Sequence, residues 1–213
     1  MSCNGVINIL MLYFTFDIIG DMPPKRRTIT LTVIGDAGVG KTILLNNLCK
    51  GITPTDYHPT IDDLYTTIVV SKKLEIWDTS SLQSDPERKM RLQRLKKVQA
   101  ILILYDCQNV ESTENLSLHL EEIRSVYSWQ DVDELLPFIA IMAVKKTYGP
   151  SDPVALQRGR QFAMLWDFEH FFVSLVGPFI VDEFERCVNL IEANQLQKIN
   201  VIVKRENYCC TLL

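Results

Sequence analysis

The 213-residue sequence predicts an α/β fold: a mostly parallel six-stranded sheet with one antiparallel hairpin, flanked by about five helices. Three features point there. From Thr28 onward, short apolar runs alternate with longer amphipathic ones, the rhythm of strands joined by helical crossovers. Two apolar runs are separated only by Ser71-Lys72, too short for a crossover, so that pair must be antiparallel. A composition of 47% hydrophobic and 23% charged residues suits one core-forming domain and excludes a disordered or collagen-like chain.

Taken in order, the first strand is expected at 28–34, where threonines alternate with Ile, Leu and Val, and the first helix at 41–50, directly after a glycine-rich loop. The hairpin strands fall at 65–70 and 73–77. A helix over 85–98 starts well at Asp85-Pro86-Glu87. The apolar run 100–105 is the next strand, followed by an amphipathic helix over 112–128. The last two strands are placed at 137–144 and 170–175, with helices at 153–166 and at 178–196. The segment 197–213 has no core-forming period of its own and reads as a flexible tail. Residues 1–27 read as an extension. Its apolar stretch Val6 to Ile19 is broken by Asn8, Thr15 and Asp17 and falls short of the roughly 20 residues of a membrane span. The first lysine, Lys25, follows that stretch instead of preceding it, which is the wrong order for a secretory signal, and Met22 is an alternative start.

A net charge of −4 argues against nucleic acid as a partner, because neutralising phosphates needs surplus Lys and Arg. The six cysteines (Cys3, Cys49, Cys107, Cys187, Cys209 and Cys210) form no C-x-x-C pair, which fits a reduced compartment and suggests no zinc site.

The strongest local signal is Gly35-Asp36-Ala37-Gly38-Val39-Gly40-Lys41-Thr42, a full G-x-x-x-x-G-K-[ST] between a strand and a helix. Glycines let backbone N–H groups turn inward around anionic oxygens, and the following helix presents its positive end. Asp36, Ala37, Gly38, Val39, Gly40, Lys41 and Thr42 are therefore expected to cradle phosphates. Lys41 supplies a point charge, and the Thr42 hydroxyl is a ligand for magnesium.

Downstream, Asp56-Tyr57-His58-Pro59-Thr60-Ile61-Asp62-Asp63-Leu64-Tyr65 is similar to the first switch of the Ras branch of small GTPases, and Leu74-Glu75-Ile76-Trp77-Asp78-Thr79 to their W-D-T-A-G-Q motif. On these residues the chain resembles the Ras superfamily. The resemblance implies a P-loop NTPase-type fold that binds GTP or GDP with Mg2+, held by Thr42, Thr60 and, through water, Asp78. It also implies that Thr60 closes over the γ-phosphate, so that switch I orders only with the triphosphate. Effectors would bind through residues 57–65, and exchange and activating factors are implied.

The chain departs from the family in four places. Ser80-Ser81-Leu82 stands where the family has A-G-Q. Leu82 occupies the position of the Gln that orients the attacking water, and an aliphatic side chain cannot hold that water, so GTP hydrolysis is expected to be slow and no catalytic residue is assigned. The N-K-x-D base motif corresponds best to Val144-Lys145-Lys146-Thr147, where Lys145 is the one match. The missing Asp predicts GTP binding weaker by roughly ten- to a thousandfold and poorer discrimination against ATP. Thr53 stands where an aromatic usually packs on the base, and of the S-A-K motif only Ser174 matches. The run Arg88 to Lys97, at the place of the second switch helix, is strongly basic and reads first as a solvated face, the alternatives being a docking face for an acidic regulator or an Arg that reaches the γ-phosphate. The short stretch Tyr148 to Asp152 leaves no room for the inserted helix of the Rho branch.

The chain ends in Cys210-Thr211-Leu212-Leu213, a C-a-a-X box whose Leu favours geranylgeranylation of Cys210, with Cys209 able to carry a second acyl chain. The expected product is a monomer at the cytoplasmic face of a membrane, the plasma membrane first, with a cytosolic pool. Two functions follow from these readings. One is a membrane-attached GTP-binding switch with slow hydrolysis. The other is a pseudo-GTPase adaptor that uses the same surface with little nucleotide turnover.

Overall fold

The structure is a computed structural model that describes residues 28–51, 62–79, 85–127, 136–176 and 180–210. Strands are β1 (Thr28–Gly35), β2 (Asp62–Val69), β3 (Lys72–Thr79), β4 (Ala100–Asp106), β5 (Phe138–Lys145) and β6 (Glu169–Ser174). Helices are α1 (Lys41–Lys50), α2 (Asp85–Leu95), α3 (Leu116–Arg124), α4 (Pro153–Leu165) and α5 (Ile180–Cys210). The sheet order is β2-β3-β1-β4-β5-β6, with β2 antiparallel to β3 and every other pair parallel. This is the expected sheet, hairpin included.

Because crossover helices cover both faces, the central strands are apolar on both sides: all of β4 is buried, and all of β5 except Lys145. Alternate residues feed two cores. Leu31, Val33, Leu102, Met142 and Val144 pack with Leu44 and Leu45 of α1 and Phe184 and Val188 of α5. Ile34, Ile101, Ile103, Ile141 and Ala143 pack on the other face with Leu95, Leu116, Ile123, Ala155 and Ala163 of α2, α3 and α4.

Two expectations about helices are corrected. The helix placed over 112–128 is a short 3-10 helix (Val110–Thr113) followed by α3. The 3-10 turn is set by Asn109, whose side chain accepts from the Glu111 N–H. The helix placed over 178–196 continues as α5 to Cys210. No Pro or Gly interrupts 180–210. Beyond the expected boundary Lys198 still donates to the Leu136 carbonyl, and just before it Gln195 Nε2 donates to Gln99 O at 3.3 Å. Contacts with the segments that lead into β4 and β5 therefore hold the helix near residue 196, which periodicity alone did not reveal.

Among the described residues, no helix is long and apolar enough to cross a membrane.

Candidate functional site: a phosphate loop at the strand ends

In open α/β sheets ligands bind beyond the carboxyl ends of the strands, and here the loop between β1 and α1 occupies that edge. Two of its glycines are required by the packing. A Cβ on Gly35 would lie 2.4 Å from the Leu104 carbonyl of β4. Gly40 has φ +104°, and a Cβ there would lie 3.2 Å from Leu175 and 3.3 Å from Val144. Gly40 also caps α1 without a side-chain hydrogen bond. The leading N–H groups of the helix, which have no intrahelical acceptor, are thereby left for a ligand.

Lys41 is only 7% exposed, and its Nζ donates to the carbonyls of Gly35 (2.8 Å) and Asp36 (2.9 Å). Burial pushes its ammonium down to about 8, Asp78 and Asp36 oppose that, and Arg91 adds to it. A buried cation under its usual range gains from an arriving anion, so the electrostatics favour a polyphosphate. Thr42 Oγ1 donates to Asp78 Oδ2 at 2.6 Å. The β1–β3 register, with Val33 opposite Asp78, brings that fully buried carboxylate to the loop. A hydroxyl and a carboxylate side by side form an oxygen-only donor set, which fits magnesium.

Asp36 turns away from the loop's interior: Asn115 Nδ2 donates to its Oδ2 at 3.0 Å and His119 Nε2 lies 3.0 Å from Oδ1. The His119 hydrogen bond, against the opposing effect of burial, holds this carboxyl below its ordinary value. Helix α3 is thus tied to the phosphate loop, a link the sequence did not suggest. Arg91 of α2 forms an ion pair with Glu122 of α3 at 2.7 Å, and both side chains are largely buried. Together with Gly35, Asp36, Ala37, Arg88 and His119, Arg91 lines a cavity of about 850 Å³ beside the loop. The Arg88 to Lys97 run is therefore not simply a solvated face. Arg94 stacks over Trp77 with its guanidinium carbon 4.1 Å from the ring centroid, and Leu95 is buried.

On the other side of the loop the structure selects a different lysine from the one expected. Lys145 ends β5, where its carbonyl accepts from Leu175 N at 2.8 Å. The ammonium that reaches the phosphate loop is that of Lys146, 2.7 Å from Gly38 O and 2.8 Å from Asp106 Oδ2. Strand parity carries the signal. Val144, two residues earlier, already faces Gly40, and Lys146 Cγ continues that face. Ser174 lies at the end of β6 beside Lys145, and its hydroxyl donates to Val176 O at 2.9 Å. Thr60, Thr53, Leu82 and the neighbouring Ser80 and Ser81 lie outside the described residues, as do the side chains of Cys209 and Cys210.

A model of the Ras family matches residues 30–193, most of the chain and all of this site. The chain belongs to the Ras family. Among curated relatives, this Ras-family chain is 32% identical to the GTP-binding protein rho2 of Schizosaccharomyces pombe over 65% of its own length and 66% of that protein. It is 34% identical to the Rho-related GTP-binding protein RhoF of Mus musculus over 43% of itself and 44% of RhoF. It is 26% identical to the Ras-like GTP-binding protein RHO1 of Entamoeba histolytica over 83% of itself and 82% of that protein. The match thus spans slightly less than two thirds of rho2 and under half of RhoF. All three relatives carry Rho-type names, whereas the segment from β5 to α4 is only residues 146–152.

Proposed function

We propose that this Ras-family chain binds GTP and GDP with magnesium and works as a membrane-attached signalling switch that hydrolyses GTP slowly. One observation carries the reading: a buried Lys41 ammonium in an intact phosphate loop stands beside an oxygen pair formed by Thr42 and, from β3, Asp78. Loop amides and Lys41 neutralise the phosphate oxygens and fix their orientation. Thr42, Asp78 and, by resemblance, Thr60 would hold the magnesium, which supplies further neutralisation of the β and γ oxygens when bound. Leu82 offers no hydrogen bond to an attacking water, so the triphosphate state is long-lived unless a partner supplies the missing group. Effectors would dock on residues 57–65, with exchange and activating factors acting on the same edge. Lipid on Cys210, and on Cys209 as a second chain, would hold the protein at the cytoplasmic face of a membrane, the plasma membrane first.

The pseudo-GTPase adaptor is the second reading, favoured by Leu82 and by the Thr147 hydroxyl, which already accepts a hydrogen bond from Gln108. Nucleotide content of the purified full chain, followed by turnover of bound GTP over hours, separates the two. Magnesium-dependent GTP binding with slow conversion to GDP supports the switch. Absence of any bound or bindable nucleotide leaves the adaptor.

A further inference from the structure

The loop after β5, which with the loop after β6 flanks the phosphate site on its Lys146 side, has most of its polar groups committed to each other. Gln108 is the centre of this arrangement. Its Oε1 accepts from the backbone N–H of Lys146 (2.9 Å) and of Thr147 (2.8 Å), while its Nε2 donates to Thr147 Oγ1 (2.7 Å) and Gly149 O (3.3 Å). Gln108 is itself fixed, because its N–H donates to Asp106 Oδ1 at 2.9 Å. The carboxylates at the two ends of this cluster are engaged too. Asp106 pairs with Lys146, and Asp152 caps α4 by accepting from Val154 N (2.7 Å) and Ala155 N (3.2 Å). At the end of β6 the Ser174 hydroxyl is turned back onto Val176 O. Counting an N-K-x-D register from Lys146, the lysine that meets the phosphate loop, puts Tyr148 at the acidic position, where its side chain is 88% exposed.

Reading a purine edge takes donors and acceptors aimed at the base and not already satisfied within the protein. Among the described residues, the side chains on this side of the site that could do so, Gln108, Thr147, Asp106, Asp152 and Ser174, are spent on contacts within the protein. We infer that the site selects nucleoside polyphosphates by their phosphate tail and does not discriminate guanine from adenine, with Gln108 as the residue that closes the base-side loop on itself. This inference rests on the phosphate-site reading above and names the ligand class of that same site: purine nucleoside di- and triphosphates irrespective of base.

The test is a competition of GTP, ITP, XTP and ATP for the purified full chain with magnesium. The inference predicts dissociation constants within about tenfold of one another, because shape without base-edge hydrogen bonds separates close analogues weakly. A GTP preference over ATP larger than about tenfold overturns the base inference while leaving the phosphate site standing. Binding of none of the four removes the phosphate site, and the inference with it. A second arm uses Gln108→Ala, with circular dichroism reporting the fold. Freeing the Lys146 and Thr147 amides and the Thr147 hydroxyl should change the GTP-to-ATP ratio by about fivefold or more, since each regained hydrogen bond is of that order. A folded Gln108→Ala protein with an unaltered ratio overturns the role given to Gln108.

Discussion

Gly159 of α4 offers the sharpest test of how the second core is packed. A Cβ added there would lie 2.2 Å from Tyr105 Oη, 2.3 Å from Cζ and 2.6 Å from Cε1, so Gly159→Ala forces the ring to move. Tyr105 is fully buried, and its hydroxyl is 3.0 Å from His170 Nε2. Three effects then compete. Overpacking a well-packed core costs about 1–3 kcal/mol. Pulling the phenol from His170 leaves a buried hydroxyl unsatisfied, at about 1–3 kcal/mol. Replacing Gly by Ala inside a helix returns about 1 kcal/mol. The sum is a loss of about 3 kcal/mol, or roughly 6–12 °C in melting temperature for a chain of this size. Chemical denaturation followed by far-UV circular dichroism measures it. Repeating the substitution in a Tyr105→Leu background removes the ring, and there Gly159→Ala should cost nothing or stabilise slightly. If Gly159→Ala raises stability by about 1 kcal/mol in the wild-type background, helix propensity acts alone and the packing account is wrong.

Burial, with Arg160 and Arg186 adding to it, pushes His170 down to about 4, so the folded state keeps it neutral. The unfolded chain takes up that proton first, and stability is full above pH 6.5 and falls as the pH drops towards 4. After allowance for the partial exposure of the ring the loss is about 2 kcal/mol. Denaturation curves at stepped pH should show this dependence reduced in His170→Gln, and an unchanged pH profile would count against it. The β2–β3 turn places Val70 (φ 49°) and Ser71 (φ 61°) in the left-handed region, where Asn-Gly is the favoured pair. Val70→Asn with Ser71→Gly should therefore raise stability by about 1–2 kcal/mol in the same assay, and no gain would mean that the turn carries no strain.

Much of this architecture could be read from the chain because local and global signals agree. The strand-loop-helix order around Gly35 to Thr42 fixes α1 at the expected residues, and the two-residue gap forces the β2–β3 hairpin. The Thr42–Asp78 pair was foreseeable because two motifs in family order place both partners at the loop. What escaped depends on contacts between distant residues. Asp36 meets Asn115 and His119 across 79 and 83 residues, and no periodicity announces such a pairing. Lys145 and Lys146 are neighbours of one type, so composition cannot say which reaches Gly38, whereas the pleat of β5 does. The length of α5 escaped because its last turns have no core-forming period, although they contain no residue that would end a helix.

The most direct measurement is a calorimetric titration of GTP with magnesium into the full chain and into its Lys41→Ala variant. A buried ammonium coordinated by two loop carbonyls contributes charge-assisted bonds that the variant cannot replace, so affinity should fall by about a hundredfold or more. Equal occupancy of the wild-type and Lys41→Ala proteins would contradict a site built around that cation.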